Sequence, residues 1–338
     1  MLELKDKRYK NVRLIFDELQ HKYTDTLYNP YISTTTILHN YKPKFDKKYW
    51  LRKKAKELQI SEKVLEEQWS TITGEACARG SNTHNGLEDG IKGGSKFKNA
   101  IRYLEDLGTG EMITVADVPD IISRYRLLNI EEFIESTDNK YPEIYNVFSK
   151  YVDAGYQIYA EIGAFLIDFL VSGTIDILLI KEDKFVIGDW KTNRGGLKFE
   201  AGYYKKDKSQ KPAQMTDIWV PKQEFLLPPV NNLPHCNGSI YNLQLSMYAF
   251  MVETILGIPC IGMWLCHIDS DFELNEYGMP KRFSDGLYHV KENPKEKTTF
   301  HVMPYRRQEI VNILNDRKLY LDAHAAIAGV NTQFKLGL

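Results

Sequence analysis

Gly173-Thr-Ile-Asp176-Ile-Leu-Leu-Ile180 and, after a four-residue gap, Phe185-Val-Ile-Gly-Asp189-Trp-Lys191 decide how this chain is read. Both runs are short and rich in β-branched and aromatic residues, and Glu182-Asp183 marks a turn between them, so they form an antiparallel hairpin. Strand alternation puts Asp189 and Lys191 on one face and Trp190 on the other. A turn centred between Glu182 and Asp183 sets Asp176 directly across from Asp189, and directly opposed residues have Cβ atoms roughly 4.5–5.5 Å apart. Carboxylates that close repel unless they share a cation or one keeps its proton.

The rest of the hairpin is apolar, and unpaired carboxylates are expensive to bury. Two readings account for the acids. In the first they lie at a solvated strand end, or Lys191 simply neutralises Asp189 as an ion pair. In the second, hard oxygen ligands hold Mg²⁺ or Mn²⁺, while Lys191 helps position or deprotonate a water and offsets charge building on a phosphate. The tripeptide alone does not choose, because D/E-x-K also occurs at Glu3-Leu-Lys5, Asp46-Lys-Lys48 and Glu182-Asp-Lys184.

Two further patches bear on the choice. In Arg79-Gly-Ser-Asn-Thr-His84-Asn-Gly-Leu-Glu88, His84 and Glu88 are four residues apart and share a face of a predicted helix. Imidazole suits transition metals better than Mg²⁺, so a site that includes His84 accepts Mn²⁺ readily. In Tyr241-Asn-Leu-Gln244-Leu-Ser-Met-Tyr248, Gln244 and Tyr248 share another helix face, where ordinary core packing is the competing account.

In chain order, Gly80-x-x-x-His84, Gly173-x-x-Asp176, Asp189-x-Lys191 and Gln244-Leu245-x-x-Tyr248 resemble the RecB-like branch of the PD-(D/E)xK nuclease superfamily, over about residues 76–270. Ile175 stands where the superfamily's name has proline. The resemblance implies an α/β (α+β) protein with a restriction-endonuclease-like core, a mixed central β-sheet flanked by helices. It implies that His84, Asp176, Asp189 and the main-chain carbonyl of Trp190 coordinate Mg²⁺ or Mn²⁺, and that Lys191 is catalytic together with Asp176 and Asp189. Gln244 and Tyr248 would brace the site or touch the DNA backbone, with Glu88 and Glu161 as accessory acids. The implied activity is metal-dependent hydrolysis of phosphodiester bonds in DNA, in recombination, repair or processing, with room for a protein partner in such a complex. Helical material before residue 160, arching over the site and admitting only a free end, makes an exonuclease the expectation over an endonuclease.

The alternative is a non-cleaving nucleic-acid-binding or assembly module retaining the fold, against which the full set of catalytic residue types argues. A hydrolase of small phosphorylated substrates ranks last, since there is no GxxxxGK loop, HExxH or nucleophile elbow. Some relatives hold an iron–sulfur cluster through an early cysteine and a late C-x2-C-x5-C group. Cys236, Cys260 and Cys266 lack that spacing, so no cluster is expected.

With 43% hydrophobic and 26% charged residues among 338, the composition is that of an ordinary folded protein. Net charge is −1, so no global polycation effect drives association, but the distribution is uneven: residues 1–56 hold 14 Lys and Arg against 6 Asp and Glu. Eight of those cations fall between Lys42 and Lys56, interleaved with Tyr41, Phe45, Tyr49 and Trp50. This segment, through Lys47, Lys48, Arg52 and Lys53, is a candidate DNA surface, as are Lys205 and Lys206; a solvated helix face and a solubilising loop are the competing accounts. The start lacks the pattern of a signal peptide, and residues 249–268, the one run that could pass for a membrane span, contain Glu253, Gly257, Pro259 and Gly262. A cytoplasmic protein without a membrane segment and with free, mostly buried cysteines is expected.

The expected organisation is a basic helical N-terminal extension (1–75), a nuclease core (76–304) and a C-terminal helix and tail (305–338). The core would carry a helical insertion at about 92–155 and a loop insertion with a small hairpin at about 197–238. Val12, Ile15, Phe16 and Leu19 fit one helix face, Ser33 caps a short helix, and further helices are read at 46–58, 61–69 and 73–91. Later come a helix at 239–256, strands near 260–268, 286–290 and 298–303, and a closing helix from 305.

Overall fold

In the computed structural model, which describes residues 2–93, 110–124 and 126–327, the N-terminal part of the chain is drawn into the central sheet. Where apolar spacing predicts a helix, three strands form: β1 (Leu14–Asp17), β2 (Lys22–Asp25) and β3 (Pro30–Ser33). The spacing of Ile15, Phe16 and Leu19 suits a helix, but Tyr23, Thr24, Tyr31 and Ile32 favour extended chain and have a sheet to join. Leu19 falls in the β1–β2 turn, fully exposed, beside His21 in the left-handed region. Tyr9 and Tyr31 meet Phe165 edge-on, so this segment shares the main core instead of forming a separate helical extension.

The caps read from sequence are present. Ser33 caps α1 (Thr34–His39), and the Asp46 carboxylate accepts the Tyr49 N–H at 2.9 Å to start α2 (Lys47–Leu58). Ser61 caps α3 (Glu62–Ile91), a single helix of 30 residues where the sequence suggests two. Glycines at 74, 80, 86 and 90 weaken its local propensity, but Gly90 is required: a β-carbon there would lie 2.8 Å from Phe133. Then come α4 (Val118–Ile121), with Pro119 in its first turn, α5 (Ile130–Ser136) and α6 (Pro142–Asp153). The helical break that Gly108-Thr-Gly110 predicts falls at 108–109 outside the described residues, and Gly110 itself is left-handed, at φ 70°.

Strands β4 (Gln157–Leu166), β5 (Val171–Lys181) and β6 (Lys184–Lys191) follow. The 197–238 segment contains the hairpin β7 (Gly202–Asp207) and β8 (Gln214–Pro221). The buried helix α7 (Asn237–Leu256) ends on left-handed Gly257 and leads into β9 (Cys260–Asp269), which accounts for residues 249–268 as helix end, turn and strand. β10 (Lys297–Val302) and α8 (Arg307–Ile327) close the described chain. The strand expected at 286–290 is absent: Val290 makes one isolated bridge to Phe272, and Gly286 at φ 85° breaks extended pairing. No described helix is long and apolar enough to cross a membrane. All four cysteines are free, but only Cys266 is buried and Cys77 is exposed, because it falls on an outward turn of α3.

The sheet is mixed, with order β1-β2-β3-β5-β6-β9-β10 and β4 added beside β5. β5 decides the site. Along one edge it pairs with β4 from end to end. Its other edge is shared: parallel β3 pairs with Val171 and Ser172, and antiparallel β6 begins at Ile177. Residues 173–176 lie in the notch between. One core, built with α1, α7 and α8, covers one face, and a second, built with the end of α3, α5 and α6, covers the other.

Candidate active site

The β5–β6 ladder has the expected register, from Lys181↔Lys184 to Ile177↔Gly188, and opens there. β6 keeps its pairing with β9 along the other edge, from Phe185 to Lys191, and past Gly188 the Trp190 N–H turns to the Asp176 carboxylate at 3.0 Å. Asp176 and Asp189 are 8% and 1% exposed. Trp190 projects to the opposite face against Phe148 and Trp264, so the alternation that puts Asp189 and Lys191 together holds. Lys191 forms an ion pair with Asp189, and its ammonium lies 4.7 Å from the centre of the Tyr241 ring. Asp189 Oδ1 accepts no hydrogen bond among the described residues. The peptide of Trp190 reaches the site through its amide, and its carbonyl falls between Asp189 and Lys191 in the chain.

Glu161 is placed more centrally than an accessory acid. In the β4–β5 ladder Ala160 pairs with Ile177 and Ile162 with Ile175, so Glu161 stands across from Asp176. That one pair is missing from the ladder because Glu161 is left-handed, at φ 51°. A non-glycine residue held so inside a strand costs about 1–3 kcal/mol, which the surrounding sheet must offset. Nothing in the sequence places this conformation at Glu161, since the nearby glycine, Gly163, stands two residues on.

From the other side α3 delivers His84, whose Nδ1 is 3.4 Å from Asp176 Oδ2 and 3.9 Å from Glu161 Oε1. His84, Glu161 and Asp176 each present one ligand-type atom, all within 4.8 Å of one another. Glu88, one turn beyond His84, is spent on Lys92 at 2.5 Å and is not one of this group. Gly80 seats α3 on the site strand, since a β-carbon there would stand 3.2 Å from Thr192 Oγ1. Helix α7 roofs the notch. Gln244 Nε2 donates to Tyr248 Oη at 3.4 Å, and Tyr248 packs where a side chain on Gly173 would be, 2.8 Å from its would-be β-carbon. Tyr241, not assigned a role from sequence, is i−3 and i−7 from these two and shares their face.

The electrostatics follow from burying three acids with two cations. Burial raises the pKa of Asp176, and burial with repulsion from Asp176 raises Asp189 to about 7, against the pull of Lys191. Burial alone would lower His84 and Lys191. The carboxylates overrule it: Asp176 and Glu161 raise His84 to about 9, and Asp189 and Asp176 raise Lys191. The acids thus hold both cations charged, while their own burial and crowding favour a proton, or a bound cation, between them.

The basic positions read as DNA contacts are all exposed but differ in their freedom. Lys47 pairs with Glu66 at 2.6 Å, and the Lys53 ammonium lies over Trp50 at 4.9 Å. Lys48, Arg52, Lys205 and Lys206 have no carboxylate within ion-pairing distance among the described residues. No protein-family model matches the chain, and no curated protein does.

Proposed function

We propose that this chain hydrolyses phosphodiester bonds in DNA with a divalent cation, Mn²⁺ or Mg²⁺, held by Asp176, Asp189, Glu161 and His84. The observation that carries the reading is the convergence of those four groups and Lys191 in the notch between β3 and β6. The residues fit such an ion: His84, Glu161 and Asp176 offer ligand atoms within 4.8 Å of one another, and on the neighbouring strand a buried oxygen of Asp189 lacks a donor. The carbonyl of Trp190 completes the set that the nuclease resemblance implies. When bound, the ion supplies Lewis-acid polarisation of the phosphate and lowers the pKa of an attacking water.

The chain's own residues do the rest. Asp189 holds the Lys191 ammonium at the site, where it offsets charge developing on the phosphate. Tyr241 and Tyr248 keep that side of the pocket dry, which strengthens each charge interaction. The reacting groups are recessed, with the Lys191 side chain 14% exposed, which favours a strand fed in from a free end and so an exonuclease. The test is incubation of the pure protein with end-labelled linear DNA and covalently closed circular DNA. Products from the linear substrate with Mn²⁺, and none with EDTA, are expected, while the circle stays intact. A mobility shift without products would favour a binding module instead, and cutting of the circle would make the enzyme an endonuclease.

The pKa shifts add a pH prediction. Ligands must shed their protons to coordinate, so protons held by the metal-free site oppose binding. His84 keeps its proton to about pH 9 and Asp189 to about pH 7. Manganese affinity measured by calorimetry is therefore expected to rise about tenfold per pH unit between those values, more steeply below and hardly at all above. A flat profile across that window would remove His84 from the ligand set.

A further inference from the structure

The two basic segments that the sequence separates by some 150 residues meet in space. A cleft of about 540 Å³ opens between the end of α2 with the α2–α3 turn, the β7–β8 turn and the loop after β9. Its cations are Lys54, Lys206, Lys208, Lys211 and Arg282. The one acid among the described lining residues, Glu57, pairs with Lys54 at 2.7 Å. Among the described residues no carboxylate lies within ion-pairing distance of the other four. Four cations without an ion-pair partner among the described residues thus face one opening, while the outward face of α2 has part of its charge tied up by Glu66 and Trp50.

The cleft is built rather than incidental. Buried Gln214 clamps the Arg282 backbone through both its amide groups, at 3.0 and 2.7 Å. The guanidinium is then aimed by two neutral acceptors, the Gly286 carbonyl at 3.1 Å and Gln68 Oε1 at 3.3 Å, leaving its charge free. Gly286 has no side chain where Gln68 must lie: a β-carbon would stand 2.4 Å from its Nε2. Lys206 is exposed as a residue, yet enclosure of its ammonium, joined by Arg282 and Lys54, lowers its pKa, so the cations are crowded enough to repel. The charge also leads somewhere. Arg194, three residues past Lys191 and stacked 3.5 Å over Tyr288, has its pKa lowered by burial and by repulsion from Arg79 and Arg282. Arg79 precedes Gly80, which seats α3 beside Thr192.

The geometry points to this cleft as a second, non-catalytic site that grips the phosphate backbone of a DNA strand, with Arg282, Arg194 and Arg79 marking its path to Lys191. A polyanion fits better than a single nucleotide, because the cations are spread over three segments and, among the described residues, no aromatic ring lines the cleft for a base to stack on. The inference rests on the nuclease reading and deepens it.

Binding of a fluorescein-labelled single-stranded oligodeoxynucleotide, measured by anisotropy in EDTA over a salt series, tests it on the full chain. Lys206→Gln, Lys208→Gln and Lys211→Gln together, all at exposed turn or strand positions, should weaken binding roughly tenfold or more. They should also flatten the salt dependence by about 2 in slope, since each phosphate contact on a single strand contributes about 0.7. In Mn²⁺ the same variant should show a raised KM and an unchanged kcat. Lys48→Gln with Arg52→Gln probes the outward face of α2 in parallel. A wild type that cuts DNA, with a cleft variant that binds as tightly and with the same salt slope, overturns the cleft and leaves the nuclease reading standing. Loss of affinity in the α2 variant alone does the same. A wild type that neither binds nor cuts overturns both.

Discussion

Replacing Lys191 by alanine is expected to lower metal-dependent cleavage of DNA by roughly 10²–10⁴-fold while manganese uptake is retained or tightened. The two halves of that expectation come from one contact. Lys191 is a permanent internal cation, ion-paired with Asp189 and kept charged by Asp189 and Asp176. In catalysis it is the only lysine at the notch among the described residues, so its loss removes the ammonium that offsets developing charge. In binding it is a competitor, because it occupies the carboxylate that a metal would use. The fold survives the change: Asp189, already raised to about 7, takes a proton when its partner is gone, which limits the cost of burying it. Melting temperature, calorimetric manganese titration and single-turnover cleavage of the variant check all three parts. Cleavage at the wild-type rate would remove Lys191 from the chemistry, and lost manganese binding with an intact fold would make it part of the metal site.

What the sequence discloses here divides along a physical line. The hairpin was legible because local alternation, β-branched composition and a two-residue turn all act within twenty residues, and its register follows once the turn is placed. His84, Gln244 and Tyr248 were legible as pairs on helix faces, which need only the helical period. The three N-terminal strands were not, since Ile15, Phe16 and Leu19 satisfy a helical spacing and only pairing with a distant β5 selects the extended form. Glu161 shows the same limit in sharper form. Its place opposite Asp176 depends on the β4–β5 register and on a left-handed backbone that its neighbours do not announce. For Glu88 the face it shares with His84 is real, but its carboxylate is taken by Lys92 one turn on, a pairing that the helical period alone does not choose. The charge of Lys47 and Lys205 is plain in sequence, whereas which cations escape neutralisation depends on Glu66 and Glu57, contacts that only the folded chain sets.

Asp176→Asn is expected to do the opposite of Lys191→Ala at the metal and to stabilise the metal-free protein. Asp176 is the junction of the cluster, across from Glu161, 3.4 Å from His84, and adjacent to Asp189. Removing its charge should reduce manganese affinity by about two orders of magnitude and carry cleavage down with it. Without a metal, however, the site holds three carboxylates against two cations. Asparagine leaves two balanced pairs, His84 with Glu161 and Lys191 with Asp189, and keeps an oxygen to accept the Trp190 N–H. The sign of the pH dependence follows. Asp176 has a raised pKa in the folded state, so it binds its proton more tightly folded than unfolded, and the stability this contributes is full at low pH and lost as pH climbs through the folded value. The substitution removes that loss. In EDTA the variant should therefore melt higher than wild type at alkaline pH, by about 1–2 kcal/mol or a few degrees, with the difference shrinking as the solution is acidified. Asp189, freed of its repelling neighbour, should fall back toward the usual carboxylate range. A variant that melts lower at alkaline pH would mean that Asp176 earns its burial without a metal, and the ion-pair account of the hairpin would replace the metal one.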